Sequence, residues 1–256
     1  MGQMRITATG AKGTAAGVIP RRGVLGGVLG GAALWATAAR QTGAQTPAVR
    51  IGGNPAWFPY SWEEGDRLRG LGAEKAQAAL DHLGLAAIPL TFGRWQRALA
   101  ALEHGRVDLL VSALWNAERT DRMLYTAPYA GDDVRAFVRS TDVGRYRTVA
   151  DLFGRAGVAP LGSAYGAEMD ALESRGLNLE RSGTTEGMLQ RVRYGRADFC
   201  VLVHRNGLHL LETLHLAGEL APLPFALTRV QIRMLIRRDG PLADRLDALN
   251  TLITDA

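Results

Sequence analysis

Two stretches of this chain follow one plan. LAALEHGRVDLLVSAL (99–114) and MLQRVRYGRADFCVLV (188–203) each read as a helix, a Gly-Arg-x-Asp corner and an apolar strand. Gly105 and Gly195 stand where a helix stop favours glycine, and Asp108 and Asp198 open the strands. An apolar run bounded by polar residues marks a buried strand. Strands alternating with helices imply a parallel sheet covered by helices. Two units of one design predict two similar lobes, with a crevice at the carboxyl ends of their strands, where open α/β sheets bind ligands.

The rest of the chain keeps that grammar. AVRIGG (48–53) reads as a strand, LGAEKAQAALDHLG (71–84) as an amphipathic helix ended by Gly84, AIPLTF as a strand and RWQRALAALEHG as a helix. The pattern restarts near 149 with helix ADLFG, strand AGVAP, a helix from Ser163 to Arg175 and another over 184–195. DDVRAFVRS (132–140) and LTRVQIRMLIRR (227–238) alternate apolar and polar residues, as half-buried strands do.

Composition narrows the function classes. The 256 residues are 47% hydrophobic and 21% charged, enough for one large or two small domains with a core. The net charge of +5 is local. Arg5, Lys12, Arg21, Arg22 and Arg40 lie in the first 44 residues, which hold no acid, and without them 25 basic residues face 25 acidic ones. Bulk charge therefore gives no ground for a nucleic-acid partner. Residues 1–44 have a basic front, a Gly/Ala-rich apolar middle and a small-residue end, the layout of an export signal. Arg21-Arg22-Gly23-Val24-Leu25 resembles a twin-arginine signal, and cleavage after Ala44 would leave a periplasmic chain. An uncleaved anchor is the alternative. Cys200, the single cysteine, allows no intrachain disulfide and reads as a buried small hydrophobe. The histidines show no paired ligand spacing, so neither metal nor cofactor is expected. GSAYG (162–166) lacks the central serine of a nucleophile elbow.

Specific motifs go further. NPAWFPYSW, GLGAEKAQAAL, RWQRALAALEHGRVDLLVSAL and NAERTDRMLYTAPY follow one another over residues 50–250 in an order that resembles the extracellular solute-binding proteins of family 3, the polar amino-acid type. The resemblance implies an α/β, two-lobed periplasmic-binding-protein fold of type II, with helices on both faces of mostly parallel sheets and two crossover strands as the hinge. Lobe one would be 48–134 plus 227–256, and lobe two 135–226. It implies a monomeric, non-enzymatic clamp that captures an amino acid or related small carboxylate and delivers it to the permease of an ABC importer.

The same resemblance assigns roles. Arg119 would grip a carboxylate with its planar fork of donors; the alternative is a surface pair with Glu118 or Asp121. Ser112 and Asn116 would supply polar first-lobe contacts, and Trp57 would stack on the ligand or simply fill the core. Ser163 and Ala164 would line an anion site at a helix N-terminus, unless Ser163 is a plain helix cap. Trp95 and Tyr129 read as core. Three departures stand out. Val203 takes the place of the acid that holds an α-ammonium, with His204 and Arg205 following it. Asn116 replaces a threonine and Leu114 a serine. The family usually carries another short helix beyond NTLITDA. Two further readings follow from these: an accessory or partner-docking protein of a periplasmic oxidoreductase or sensor, and an enzyme similar to cyclohexadienyl dehydratases with Glu168 and Asp170 as candidate acids.

Overall fold

The computed structural model describes residues 46–254; the export-signal expectation for 1–44 lies outside them. The chain opens with β1 (Ala48–Gly52), then a small meander of β2 (Ala56–Trp57), β3 (Ser61–Glu64) and β4 (Arg67–Arg69). Next come α1 (Leu71–His82), β5 (Ala86–Pro89), α2 (Trp95–Glu103), β6 (Leu109–Leu114), β7 (Met123–Tyr125) and the long β8 (Ala130–Arg139). The second half holds β9 (Gly157–Pro160), α3 (Ala167–Ser174), β10 (Leu179–Ser182), α4 (Thr185–Arg193), β11 (Phe199–Val203), α5 (His204–Thr213) and β12 (Leu220–Pro222). The chain then returns through β13 (Thr228–Arg237) and closes on α6 (Leu246–Thr254).

One sheet runs through the molecule in the order β10-β9-β11-β8-β13-β6-β1-β5. Both flanks are parallel: β1 pairs with β5 and β6, and β9 with β10 and β11. The antiparallel ladders of this sheet belong to the two long strands. β8 pairs with β13 over Ala130–Val134 and with β11 over Val134–Phe137; β13 continues onto β6. Each long strand thus begins in one half and ends in the other, the crossover role that the family resemblance implies for 132–140 and 227–238.

Apolar runs form β6 and β11 because both faces of these strands are covered, which removes the need for a polar face. Leu109 and Val111 pack towards α1 and α6, Leu110 towards α2. In the other half Phe199 and Val201 pack with Met169 of α3, while Cys200 and Leu202 meet Met188, Leu189 and Leu211 of α4 and α5. Each fully buried aliphatic side chain contributes about 1.5–3 kcal/mol, so these strands are the best-held parts of the fold. Cys200 is free and buried, as expected, and burial pushes its thiol pKa up.

The echoed corners resolve into one device. Asp108 N–H donates to Arg50 C=O at 2.8 Å, and Asp108 Oδ2 accepts Arg50 N–H at 2.9 Å. Asp198 N–H donates to Ala156 C=O at 2.7 Å, and Asp198 Oδ2 accepts Ala156 N–H at 2.9 Å. In each half an aspartate thus ties the start of a central strand to the neighbouring parallel strand.

Candidate functional site

A cavity of about 780 Å³ opens at the carboxyl ends of β1, β6, β9, β10 and β11, the place the crossover rules assign to a ligand. Both halves line it. Asn54, Trp57, Arg94, Trp95, Gln96, Arg97, Ser112 and Arg119 come from the first; Ser163, Ala164, Tyr165, Thr184, Thr185, Val203 and Asn206 from the second. Gln96 Nε2 donates to Leu161 C=O across the gap at 3.2 Å, and Phe58 stacks on His209 of α5 with ring centroids 4.1 Å apart.

The first wall is held by close backbone packing. Gly70 takes φ 110° at the start of α1, and a Cβ there would lie 2.7 Å from Tyr60 C=O. A Cβ on Gly72 would lie 2.5 Å from Ser112 Oγ and 2.6 Å from the Tyr129 hydroxyl. The helix therefore presses its N-terminus against β6 with no room for a side chain. Ser112 is buried, and its hydroxyl is already engaged, donating to Tyr60 C=O at 3.1 Å and bonding to the Tyr129 hydroxyl at 2.6 Å. Its side chain secures the wall rather than standing free for a ligand. Burial raises the Tyr129 and Tyr60 pKa values, and Tyr60 also donates to the buried Asp132 at 2.8 Å. Both phenols are neutral scaffold donors.

Arg119 projects differently. It ends a short 3-10 turn after β6, half-buried, with its guanidinium carbon 6.0 Å from the centre of the Trp95 ring. It forms no ion pair with Glu118, Asp121 or any other described carboxylate. Trp95 packs against the core cluster of α2 and β6, as expected, and also lines the cavity, where it makes a cation–π contact with this arginine. Trp57 fills the core, buried against Tyr60 with ring centroids 5.2 Å apart, and it also lines the cavity. Asn116 is not among the lining residues. Its side-chain oxygen accepts Glu118 N–H at 2.8 Å and caps the 3-10 turn that carries Arg119, so it positions the arginine.

On the second wall, Ser163 does not cap a helix. Gly162 and Gly166 hold left-handed φ values of 75° and 88°, which delay α3 until Ala167, with Gly166 as its N-cap. Ser163 Oγ is instead buried with no hydrogen-bond partner. The neighbouring Tyr165 hydroxyl donates to Val201 C=O at 3.3 Å; burial raises its pKa against the opposing effect of the Ser163 hydroxyl. Thr184 caps α4 by accepting Gly187 N–H at 3.1 Å. Val203 ends β11, buried at 5% exposure, and lines the cavity with methyl groups. Just beyond it, Asn206 is 6% exposed, and its side-chain oxygen has no partner.

Sequence reasoning missed Arg94, Arg97, Trp95 and Asn206. The one available signal was electrostatic: two arginines at the start of a helix without an acid run against the dipole. Glu168 and Asp170 do not line the cavity, and Glu168 accepts the Thr228 hydroxyl at 2.6 Å. Among the described residues, no group of three His, Cys, Asp or Glu side chains could hold a metal, and no helix is long and apolar enough to cross a membrane.

Residues 49–250 match the family model of the bacterial extracellular solute-binding proteins, family 3. The chain belongs to this family. Solved structures share the fold. A histidine kinase sensor domain with similarity to periplasmic binding proteins superposes with a TM-score of 0.69 at 21% identity, covering 81% of this chain and 89% of that one. Holo ArgBP from T. maritima gives 0.66 at 17%, covering 81% and 89%. The B. pertussis BvgS periplasmic domain gives 0.68 at 17%, covering 82% of this chain and 40% of that one. No curated protein matches the sequence. The cavity of this solute-binding protein lies between the two halves of the sheet that β8 and β13 connect.

Proposed function

We propose that this solute-binding protein captures a small carboxylate between two lobes, 48–134 plus 227–256 and 135–226, and delivers it to the membrane permease of an ABC importer. The observation that carries this reading is Arg119, a guanidinium in the cavity wall held by Trp95 and answered by no described carboxylate. Such a group offers a carboxylate two parallel hydrogen bonds, and charged hydrogen bonds contribute about 1.5–3 kcal/mol each. β8 and β13 are the connections about which the lobes would close, because each belongs to both halves of the sheet. The family and the fold support a binding protein rather than an enzyme. The dehydratase alternative requires a proton-donating acid in the cleft, and the lining residues include none.

The test is a thermal-shift screen of ligand-stripped protein against small carboxylates and amino acids. A ligand at a hundredfold excess over its dissociation constant adds about 2.7 kcal/mol of stability. We expect at least one selective stabiliser whose effect is lost in Arg119→Ala. Uptake of that compound by cells, abolished when this chain is deleted, separates a transport role from a sensor or accessory role. In the latter case binding would persist and uptake would be unchanged.

A further inference from the structure

The α2 side of the cavity carries two solvent-exposed arginines and no acid to pair with them. Arg94 is the N-cap of α2 and Arg97 lies in its first turn, which holds no acid. The N-terminus of a helix is the positive end of its dipole, where acids are favoured and cations are not. Arg119 adds a third guanidinium over Trp95. All three line the cavity, none is in an ion pair with a described carboxylate, and no Asp or Glu lines the cavity with them.

Two nearby carboxylates are engaged elsewhere. Glu63 accepts the Phe92 and Gly93 amides at 2.6 and 2.9 Å, and Asp132 accepts the Tyr60 hydroxyl and the Arg205 amide. A second cavity of about 530 Å³, at the amino ends of β9 and β10, shows the contrast. Of its two arginines, Arg191 is answered within the protein by both oxygens of Glu180, at 2.8 and 2.6 Å, while Arg155 is in no ion pair with a described carboxylate. The wall opposite the three arginines is neutral. Val203 offers only methyl groups, while the buried Asn206 side-chain oxygen and the Ser163 hydroxyl lack partners.

We propose that the cleft takes a small organic dianion that carries no ammonium group, either a dicarboxylate or a phosphate monoester, and that Asn206 meets a hydroxyl on it. This deepens the solute-binding reading above and rests on it. One carboxylate occupies one guanidinium fork and leaves two positive charges unanswered; the second negative charge of a dianion answers one of them and leaves the remaining, exposed arginine to solvent. An α-ammonium would add a further cation to an acid-free cavity and be desolvated there without a counter-charge.

The experiment is calorimetric titration of the ligand-stripped full chain with succinate, L-malate and glycerol 3-phosphate, set against L-aspartate, L-glutamate, L-arginine and butyrate. We expect one dianion to bind at least tenfold tighter than every zwitterion and than butyrate, with malate against succinate reporting the hydroxyl contact. Succinate or malate as the winner identifies a dicarboxylate site, glycerol 3-phosphate a phosphate site. The double variant Arg94→Gln/Arg97→Gln should lose at least tenfold in dianion affinity while its unfolding temperature holds or rises, because cations leave a helix N-terminus. Equal or tighter binding of an amino acid or of butyrate overturns the dianion inference and leaves the solute-binding reading intact. Absence of binding to any of the seven overturns both.

Discussion

The two halves of the sheet share a corner and differ in what they add to it. In both, an aspartate exchanges hydrogen bonds with the backbone of the neighbouring strand. Asp108 additionally holds the Arg50 side chain, with Nε to Oδ2 at 2.9 Å and Nη2 to Oδ1 at 2.7 Å, whereas Asp198 holds only the backbone. The walls above these corners diverge further. The first presents three unpaired arginines, the second neutral amide and hydroxyl groups beside an apolar Val203. A common scaffold thus carries an electrostatic wall on one side and a hydrogen-bonding wall on the other. On the proposed reading, charge would attract the solute and the neutral wall would discriminate among the solutes attracted.

The largest expected effect strikes the scaffold. Asp108→Ala leaves a buried amide and a guanidinium without their acceptor and should cost about 2–3 kcal/mol in urea unfolding; Asp198→Ala should cost about 1 kcal/mol. Equal losses would show that the Arg50 pair is idle. Next, Arg119→Ala should weaken binding of the cognate anion about 10- to 100-fold, a loss of roughly 1.5–3 kcal/mol, with unfolding temperature little changed because the side chain has no protein partner but Trp95. Val203→Asp tests the opposite wall. It supplies an acid at the N-cap of α5, a position where Asp is favoured and the present side chain caps nothing. Gain of measurable amino-acid binding, with dianion binding weakened, is the expected outcome.

Gln96→Ala removes the hydrogen bond that spans the cavity to Leu161 and should weaken binding by about 0.5–1.5 kcal/mol without altering which solute is preferred. A change of preference would make Gln96 a ligand contact. The smallest effect is a pH dependence at His204, which follows Val203. Burial and the positive charges of Arg135 and Arg205 lower its pKa, against the opposing pull of Asp132 and Asp133. The unfolded chain therefore takes up this proton first. Stability is complete above the ordinary value of 6.5 and declines as pH falls from there through the depressed folded-state pKa. Unfolding curves between pH 7.5 and 5 should show a shallow decline that His204→Gln removes.

The strands and helices were legible because their signals are local. The apolar runs at 109–114 and 199–203, the stops at Gly105 and Gly195, and the alternation of the two long strands need only neighbouring residues to be read. The site was legible in part. Trp57, Ser112, Arg119, Ser163, Ala164 and Val203 all line the cavity, while Asn116 is used as a cap and the Ser112 hydroxyl as a strut. Ser163 was read in one alternative as a helix cap because a serine before an apolar run has that signature. The two left-handed glycines around it move the helix start to Ala167. Trp95 packs against the core and Arg94 and Arg97 are solvent-exposed, as local reading suggests; that all three also line the cavity is what no local signal shows.

By itself, then, the sequence determined the alternation of elements, the paired Gly-Arg-x-Asp corners and the place in the family, because each depends on spacing along the chain. Only the tertiary structure decided that three arginines share an acid-free cavity with a buried, unpartnered Asn206. The electrostatic character of a cavity sums over side chains from segments far apart in sequence. Which of them face it depends on how helices and strand ends pack, and no local pattern records that.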